Sequence, residues 1–572
     1  MLTCDTTNKY PVLPILLSSA FLVLCLSKFT QGVGTTEKEE SLSPLELNIL
    51  QNKFASYYAN DTITVKGITI GGWLVTEPYI TPSLYRNATS LAKRQNSSSN
   101  ISIVDEFTLC KTLGYSTSLT LLDNHFKTWI TEDDFEQIKT NGFNLVRIPI
   151  GYWAWKQNTD KNLYIDNITF NDPYVSDGLQ LKYLNNALEW AQKYELNVWL
   201  DLHGAPGSQN GFDNSGERIL YGDLGWLRLN NTKELTLAIW RDMFQTFLNK
   251  GDKSPVVGIQ IVNEPLGGKI DVSDITEMYY EAFDLFKKNQ NSSDNTTFVI
   301  HDGFQGIGHW NLELNPTYQN VSHHYFNLTG ANYSSQDILV DHHHYEVFTD
   351  AQLAETQFAR IENIINYGDS IHKELSFHPA VVGEWSGAIT DCATWLNGVG
   401  VGARYDGSYY NTTLFTTNDK PVGTCISQNS LADWTQDYRD RVRQFIEAQL
   451  ATYSSKTTGW IFWNWKTEDA VEWDYLKLKE ANLFPSPFDN YTYFKADGSI
   501  EEKFSSSLSA QAFPRTTSSV LSSTTTSRKS KNAAISNKLT TSQLLPIKNM
   551  SLTWKASVCA LAITIAALCA SL

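Results

Sequence analysis

The chain has 572 residues, a net charge of −16, and 17 Trp, 27 Tyr and 27 Phe. That length admits one large domain or several small ones. The acidic balance speaks against nucleic-acid binding, which needs clustered Lys and Arg for phosphate contacts. A neutral carbohydrate meets no such obstacle and can stack on aromatic faces, although most rings of a folded chain belong to its core. From the N-terminus, residues 12–26 form an apolar run followed by Ser27-Lys28-Phe29-Thr30-Gln31-Gly32. This predicts a secretory leader over residues 1–32, with a weakly basic start supplied by Lys9 alone.

A long body follows, over residues 45–505. Apolar runs at 67–75, 143–150, 197–203, 257–263, 297–302, 338–343, 380–384 and 459–463 are the expected strands. Each interval holds a helical pattern, such as 181–194, or 131–140 where Thr131 and an acidic first turn mark the start. Eight such alternations predict a (β/α)₈ barrel of the α/β class. No G-x-G-x-x-G follows the first strand, so a dinucleotide-binding sheet loses support and no cofactor is expected. Asn-x-Ser/Thr sequons recur along the body, among them Asn87, Asn167, Asn230, Asn291, Asn295 and Asn490, as a secreted chain allows. Of seven cysteines the body keeps Cys110, Cys392 and Cys425. In an oxidising compartment Cys392 and Cys425 can close a loop, and no metal-ligand spacing joins them.

Past residue 505 the composition changes. Residues 506–545 are a Ser/Thr-rich stalk expected to stay extended. Residues 557–572 are apolar up to the last residue, without a basic flank. Over 546–572 this fits a glycosylphosphatidylinositol (GPI) attachment signal, with Asn532-Ala533-Ala534 as the small-residue candidate for the attachment site. The chain would then sit on the outer face of the plasma membrane or in the wall. A plain tail-anchored helix is the other reading.

In a (β/α)₈ barrel the C-terminal strand ends share one mouth. Here those ends carry Glu77, Arg147, His203, Asn263 with Glu264, His343 with Tyr345, Glu384 and Trp463. Glu264 and Glu384 supply the two carboxyl groups that glycoside hydrolysis needs, one as proton donor and one as nucleophile or base. Arg147 can orient and ionise a neighbouring Glu, Asn263 can bind a sugar hydroxyl, and Trp463 can form a stacking floor.

The stretches 145–153, 201–216, Asn263-Glu264-Pro265, 341–345 and 383–386 resemble the fungal exo-1,3-β-glucanases of glycoside hydrolase family 5. The stalk and tail resemble those of the membrane- or wall-anchored yeast members. The resemblance runs from about residue 68 to 485 and implies a retaining mechanism on β-glucan, with Glu264 as acid/base and Glu384 as nucleophile. It also implies that Arg147, His203, Asn263, His343, Tyr345, Trp463 and Glu77 surround the reacting sugar, and that Phe212 and Phe348 clamp the next one. A wall transglycosylase, or a non-catalytic glucan-binding protein, are the alternatives.

Overall fold

The run Leu145–Gly151 is buried along its whole length, which a strand achieves only when both its faces are covered. Seven other runs behave alike, each with at most one half-buried residue. In chain order the strands are β1 (Val65–Thr69), β2 (Leu145–Gly151), β3 (Asn197–Gly204), β4 (Val256–Gln260), β5 (Thr297–His301), β6 (Ile338–His343), β7 (Ala380–Trp385) and β8 (Gly459–Phe462). Each pairs in parallel with its neighbour in sequence, and β1 pairs with β8, so the barrel closes. The computed structural model describes residues 65–512, apart from 96–100, 220–221, 319–321, 323–332, 334–336 and 412–420. The leader, Asn532, the 546–572 signal and the stalk beyond residue 512 lie outside the described residues.

The barrel is a packed core. Val65, Leu145, Trp199, Val299, Leu339, Val381 and Ile461 form one buried apolar cluster, and the partly buried Val257 of β4 packs against it. There β4 also offers Gly258, where an added Cβ would lie 2.6 Å from the Trp199 indole. The missing side chain is what lets that indole fit. A second close approach occurs at Gly383 on β7, where a Cβ would meet Asp341 Oδ1 at 1.9 Å.

Helices cover the outside, among them Leu179–Lys193, Thr232–Phe247, Val272–Asn289, Gln357–Glu374 and Gln436–Lys456. Thr131 caps the helix Glu132–Thr140, its backbone N–H donating to Asp134 at 2.8 Å. Asp134 also accepts from Trp465 Nε1 at 2.9 Å, which ties that helix to the chain leaving β8. Four features differ from the sequence reading. β1 ends at Thr69, because Gly71-Gly72 turn the chain, with Gly72 at φ +66°. β4 ends at Gln260, so Asn263 and Glu264 lie on the turn beyond it. Between β5 and β6, only a 3₁₀ turn, His309–Asn311, appears among the described residues. The helix Glu502–Ala512 buries Phe504 and Leu508, so the packed body continues past residue 505.

Behind the mouth, His342 on β6 is buried between two carboxylates, Asp302 at 2.8 Å from Nδ1 and Glu374 at 2.8 Å from Nε2. Burial alone would lower its pKa, but the bonds to Asp302 and Glu374 outweigh that and raise it to about 10. A histidine raised from about 6.5 in the unfolded chain adds stability that is complete below that value and is lost as pH climbs through the folded one. We therefore expect His342→Gln to melt at a lower temperature than wild type at pH 7. Its Tm should also fall less steeply from pH 7 to 10, as measured by scanning calorimetry.

Candidate active site

Arg147 on β2 is wholly buried, and each of its three guanidinium nitrogens is engaged. Nη1 donates to Glu384 Oε1 at 2.6 Å, Nη2 to Asn263 Oδ1 at 2.7 Å, and Nε to Gln260 Oε1 at 2.9 Å. Nη2 also stands 3.1 Å from Asp201 Oδ2. One guanidinium thus joins groups from β3, β4 and β7. Because Asn263 Oδ1 is taken, its amide orientation is fixed, and Nδ2 is left buried without a partner. His203 behaves likewise: Nδ1 is bonded to Asp201 at 2.6 Å and Nε2 has no partner. Buried polar atoms of this kind call for a hydroxyl-rich ligand, since leaving them unpaired costs about 1–3 kcal/mol each.

The turn after β4 is held by Gln209. Its Nε2 donates to the carbonyls of His203 (2.7 Å) and Asn263 (2.9 Å). On this turn Glu264 adopts φ +47°, a left-handed conformation uncommon outside glycine. Its Oε1 accepts from His343 Nδ1 at 2.8 Å, and Oε2 from Asn214 Nδ2 at 3.2 Å. The same His343 nitrogen lies 3.4 Å from Glu384 Oε2. Those two legs, 2.8 and 3.4 Å, bound the gap between the nearest Glu264 and Glu384 oxygens at 6.2 Å. Glu384 Oε2 also accepts from Tyr345 Oη at 2.9 Å. Asp341 Oδ2 takes His343 Nε2 at 3.3 Å and Gln260 Nε2 at 2.9 Å.

The charges follow from this packing. Burial pushes the Glu384 carboxyl up, against the pull of His343 and Arg147. Burial would raise Glu264 too, but the bond and charge of His343 override it and bring it down to about 2. His343 resists the lowering effect of burial, because Glu384, Asp341 and Glu264 surround it and hold its proton well above the usual range. Burial, then Asp213 and Glu384, raise Glu77. The proton of the Glu264–His343 pair therefore sits on the imidazole.

These groups open into a cavity of about 510 Å³, lined by Glu77, Glu264, His343, Tyr345, Glu384 and Trp463, among others. Arg147, His203 and Asn263 lie directly behind the wall, and Trp463 stacks parallel to His203 with centroids 5.6 Å apart. Trp463 Nε1 donates to Tyr79 Oη. At the lip, Phe212 and Phe348 are 39% and 40% exposed. All eleven residues singled out from the sequence as catalytic or substrate-binding gather at this one site. Sequence reasoning missed Phe304, 46% exposed beside Phe212 (ring centroids 6.5 Å apart). It also missed Asn214, Tyr79, Trp473 and His301. Phe304 follows β5, whose end contributed nothing to the sequence reading. Cys392 and Cys425 form a disulfide in the loop after β7, and Cys110 is free and buried.

Among the described residues, Glu264, His301 and His343 are the grouping of ligand atoms close enough to share an ion. His343, however, spends both nitrogens on carboxylates, and His301 Nδ1 accepts from the Gly303 N–H at 3.0 Å. The group reads as a proton network.

Comparison with known proteins gives the family. The profile of Cellulase (glycosyl hydrolase family 5) matches residues 105–399. Glucan 1,3-beta-glucosidase 2 of Candida albicans is 41% identical over 442 residues, 75% of this chain and 85% of the relative. The sporulation-specific glucan 1,3-beta-glucosidase of Saccharomyces cerevisiae is 39% identical over 432 residues, 75% of this chain and 87% of the relative. Rutinosidase from Aspergillus niger superposes with a TM-score of 0.50 at 17% identity, covering 74% of this chain and 98% of that one, which speaks to the fold alone. On its sequence, the chain belongs to glycosyl hydrolase family 5.

Proposed function

We propose that this chain is a retaining glucan 1,3-β-glucosidase that removes glucose from the non-reducing ends of 1,3-β-glucan, with Glu384 as nucleophile and Glu264 as acid/base. One observation carries the reading: both carboxylates lie against a single His343 nitrogen, their nearest oxygens within 6.2 Å. A retaining reaction needs both carboxyl groups close enough to share one sugar, about 5–5.5 Å apart, and the shared imidazole nitrogen draws the two together. The relatives' names support the substrate class.

In the first half, Glu384 attacks the anomeric carbon while Glu264 gives a proton to the departing glycosidic oxygen. Arg147 and Tyr345 hold the attacking carboxylate in place. The proton reaches Glu264 from His343 along their 2.8 Å bond. In the second half Glu264 takes a proton from water, whose oxygen displaces Glu384 and frees the sugar with its configuration retained. Asn263 Nδ2 and His203 Nε2 are placed to bind ring hydroxyls, and Phe212, Phe348 and Phe304 offer faces to the next sugar at the lip.

Secretion and a lipid anchor at the cell surface complete the proposal. The leader and tail support it, as does the Cys392–Cys425 disulfide, since such bonds persist in oxidising compartments. So does the exposure of Asn87, Asn167, Asn230, Asn291, Asn295 and Asn490. Treating intact cells with a phosphatidylinositol-specific phospholipase is expected to release the protein into the medium; release by salt alone would speak against the anchor.

Glu384→Gln is expected to abolish laminarin hydrolysis with unchanged circular dichroism, because the amide is nearly isosteric and a poor nucleophile. Glu264→Ala should lose about 10²–10⁴-fold on laminarin but far less on an aryl glucoside whose leaving group needs no proton. Wild-type turnover by Glu384→Gln, or equal losses on both substrates for Glu264→Ala, would remove the assignment.

The pH profile of kcat/KM follows from the charges. Glu384 must be ionised, and its pKa lies above the ordinary carboxylate value, so activity should fall as pH drops through a point higher than about 4.3. The alkaline limb marks loss of the proton shared by Glu264 and His343. His343→Asn leaves Glu264 as the only holder of that proton, so the limb should move to lower pH.

A further inference from the structure

His301 ends β5, is wholly buried, and has no part in the reaction steps above. One edge of its ring is fixed. Gly303 N–H donates to Nδ1 at 3.0 Å, and Asp302 Oδ1 lies 3.6 Å from the same atom. An accepting Nδ1 bears no hydrogen, so the neutral ring carries its proton on Nε2. Burial and the adjacent His343 keep the ring neutral, its pKa lowered to about 4. Nε2 is buried and makes no hydrogen bond among the described residues.

The charged groups acting most strongly on this ring come from three neighbouring segments. Glu264 comes from the turn after β4, Asp341 and His343 from β6, and Asp302 from its own loop, already bonded to His342. The Phe304 ring packs edge-on against it at 5.2 Å. The His301 and His343 rings meet edge to face with centroids 4.3 Å apart. A His301 nitrogen, a His343 nitrogen and a Glu264 oxygen all lie within 4.8 Å of one another. With Nδ1 engaged by Gly303, Nε2 is the nitrogen left to serve that grouping.

We propose that His301 is a positioning residue whose Nε2–H faces the Glu264–His343 pair and favours its proton-free form, readying Glu264 to act as base in the second half of the reaction. This rests on the acid/base reading of Glu264. The positive end of an N–H dipole disfavours an added proton on the pair and stabilises the carboxylate. It also becomes a direct donor when the carboxylate swings away from a deprotonated His343. The neutral state of His301 matters, because a second cation beside His343 would repel it.

The test uses the purified full chain and 2,4-dinitrophenyl β-glucoside, whose leaving group departs without a proton, so that hydrolysis of the glycosyl–enzyme is the expected slow step. His301→Phe keeps a ring against His343 without the N–H. His301→Gln puts an amide N–H near the position of Nε2 on a group that does not titrate. Without the donor, Glu264 holds its proton to higher pH, so the acid limb of kcat should move up by about one unit in His301→Phe. His301→Gln should keep the wild-type limb. A limb unmoved in His301→Phe, or moved equally in both variants, overturns the proposal. Should His301→Phe not fold, ¹⁵N spectra of histidine-labelled wild type decide. A proton on Nε2 with a bare Nδ1 supports the proposal, and a proton on Nδ1 overturns it. Failure of the underlying reading shows separately, as Glu264→Ala turning over this glucoside with no slowed second step.

Discussion

A guanidinium taken wholly out of water must be matched on every side, because an unpaired buried charge costs several kcal/mol. Arg147 meets that demand with Glu384, Asn263, Gln260 and Asp201. Burial works against its charge, but Asp201 and Glu384 more than restore it. These partners come from three other strands or their ends, so barrel closure and assembly of the site are the same event. A chain that fails to bring β7 beside β2 through the barrel leaves a bare cation inside and loses its nucleophile's orientation together.

From that cation a continuous hydrogen-bonded circuit runs through Gln260 to Asp341, then to His343, and on to Glu264. Glu384 closes it by touching both Arg147 and His343. The two carboxylates therefore differ in their company. One is gripped by a permanent cation, the other by an imidazole that can release its proton. That difference, and not the chemistry of glutamate, separates a nucleophile from a proton carrier on one rim. The backing is equally constrained: a side chain at Gly383 would displace the Asp341 that steadies His343.

Much of this was legible in the residues. Buried parallel strands read as unbroken apolar runs, and polar groups interrupting their ends marked the mouth, which is why Arg147, Glu264, His343 and Glu384 stood out. Boundaries were less legible where glycine acts: Gly71-Gly72 lie inside an apolar run yet turn the chain. Asn214 sits in a loop of Asn, Ser and Gly and reads as turn chemistry until its amide is seen on Glu264. Gln209 and Gln260 carry no sequence signal, because their role is to bridge backbone and side chains brought together only by closure. Phe504 and Leu508 are isolated apolar residues in a serine-rich stretch, and only their burial reveals a closing helix. Resemblance to a family supplied the roles of Glu77, Phe212 and Phe348, which periodicity could not.

The left-handed backbone at Glu264 has an evolutionary edge. That conformation penalises a glutamate by about 1–3 kcal/mol and suits glycine far better. At the one position where this chain needs a proton carrier, folding alone would prefer no side chain at all. Selection for robustness and selection for turnover therefore pull in opposite directions there, and a lineage released from the second would drift toward a sturdier, silent barrel.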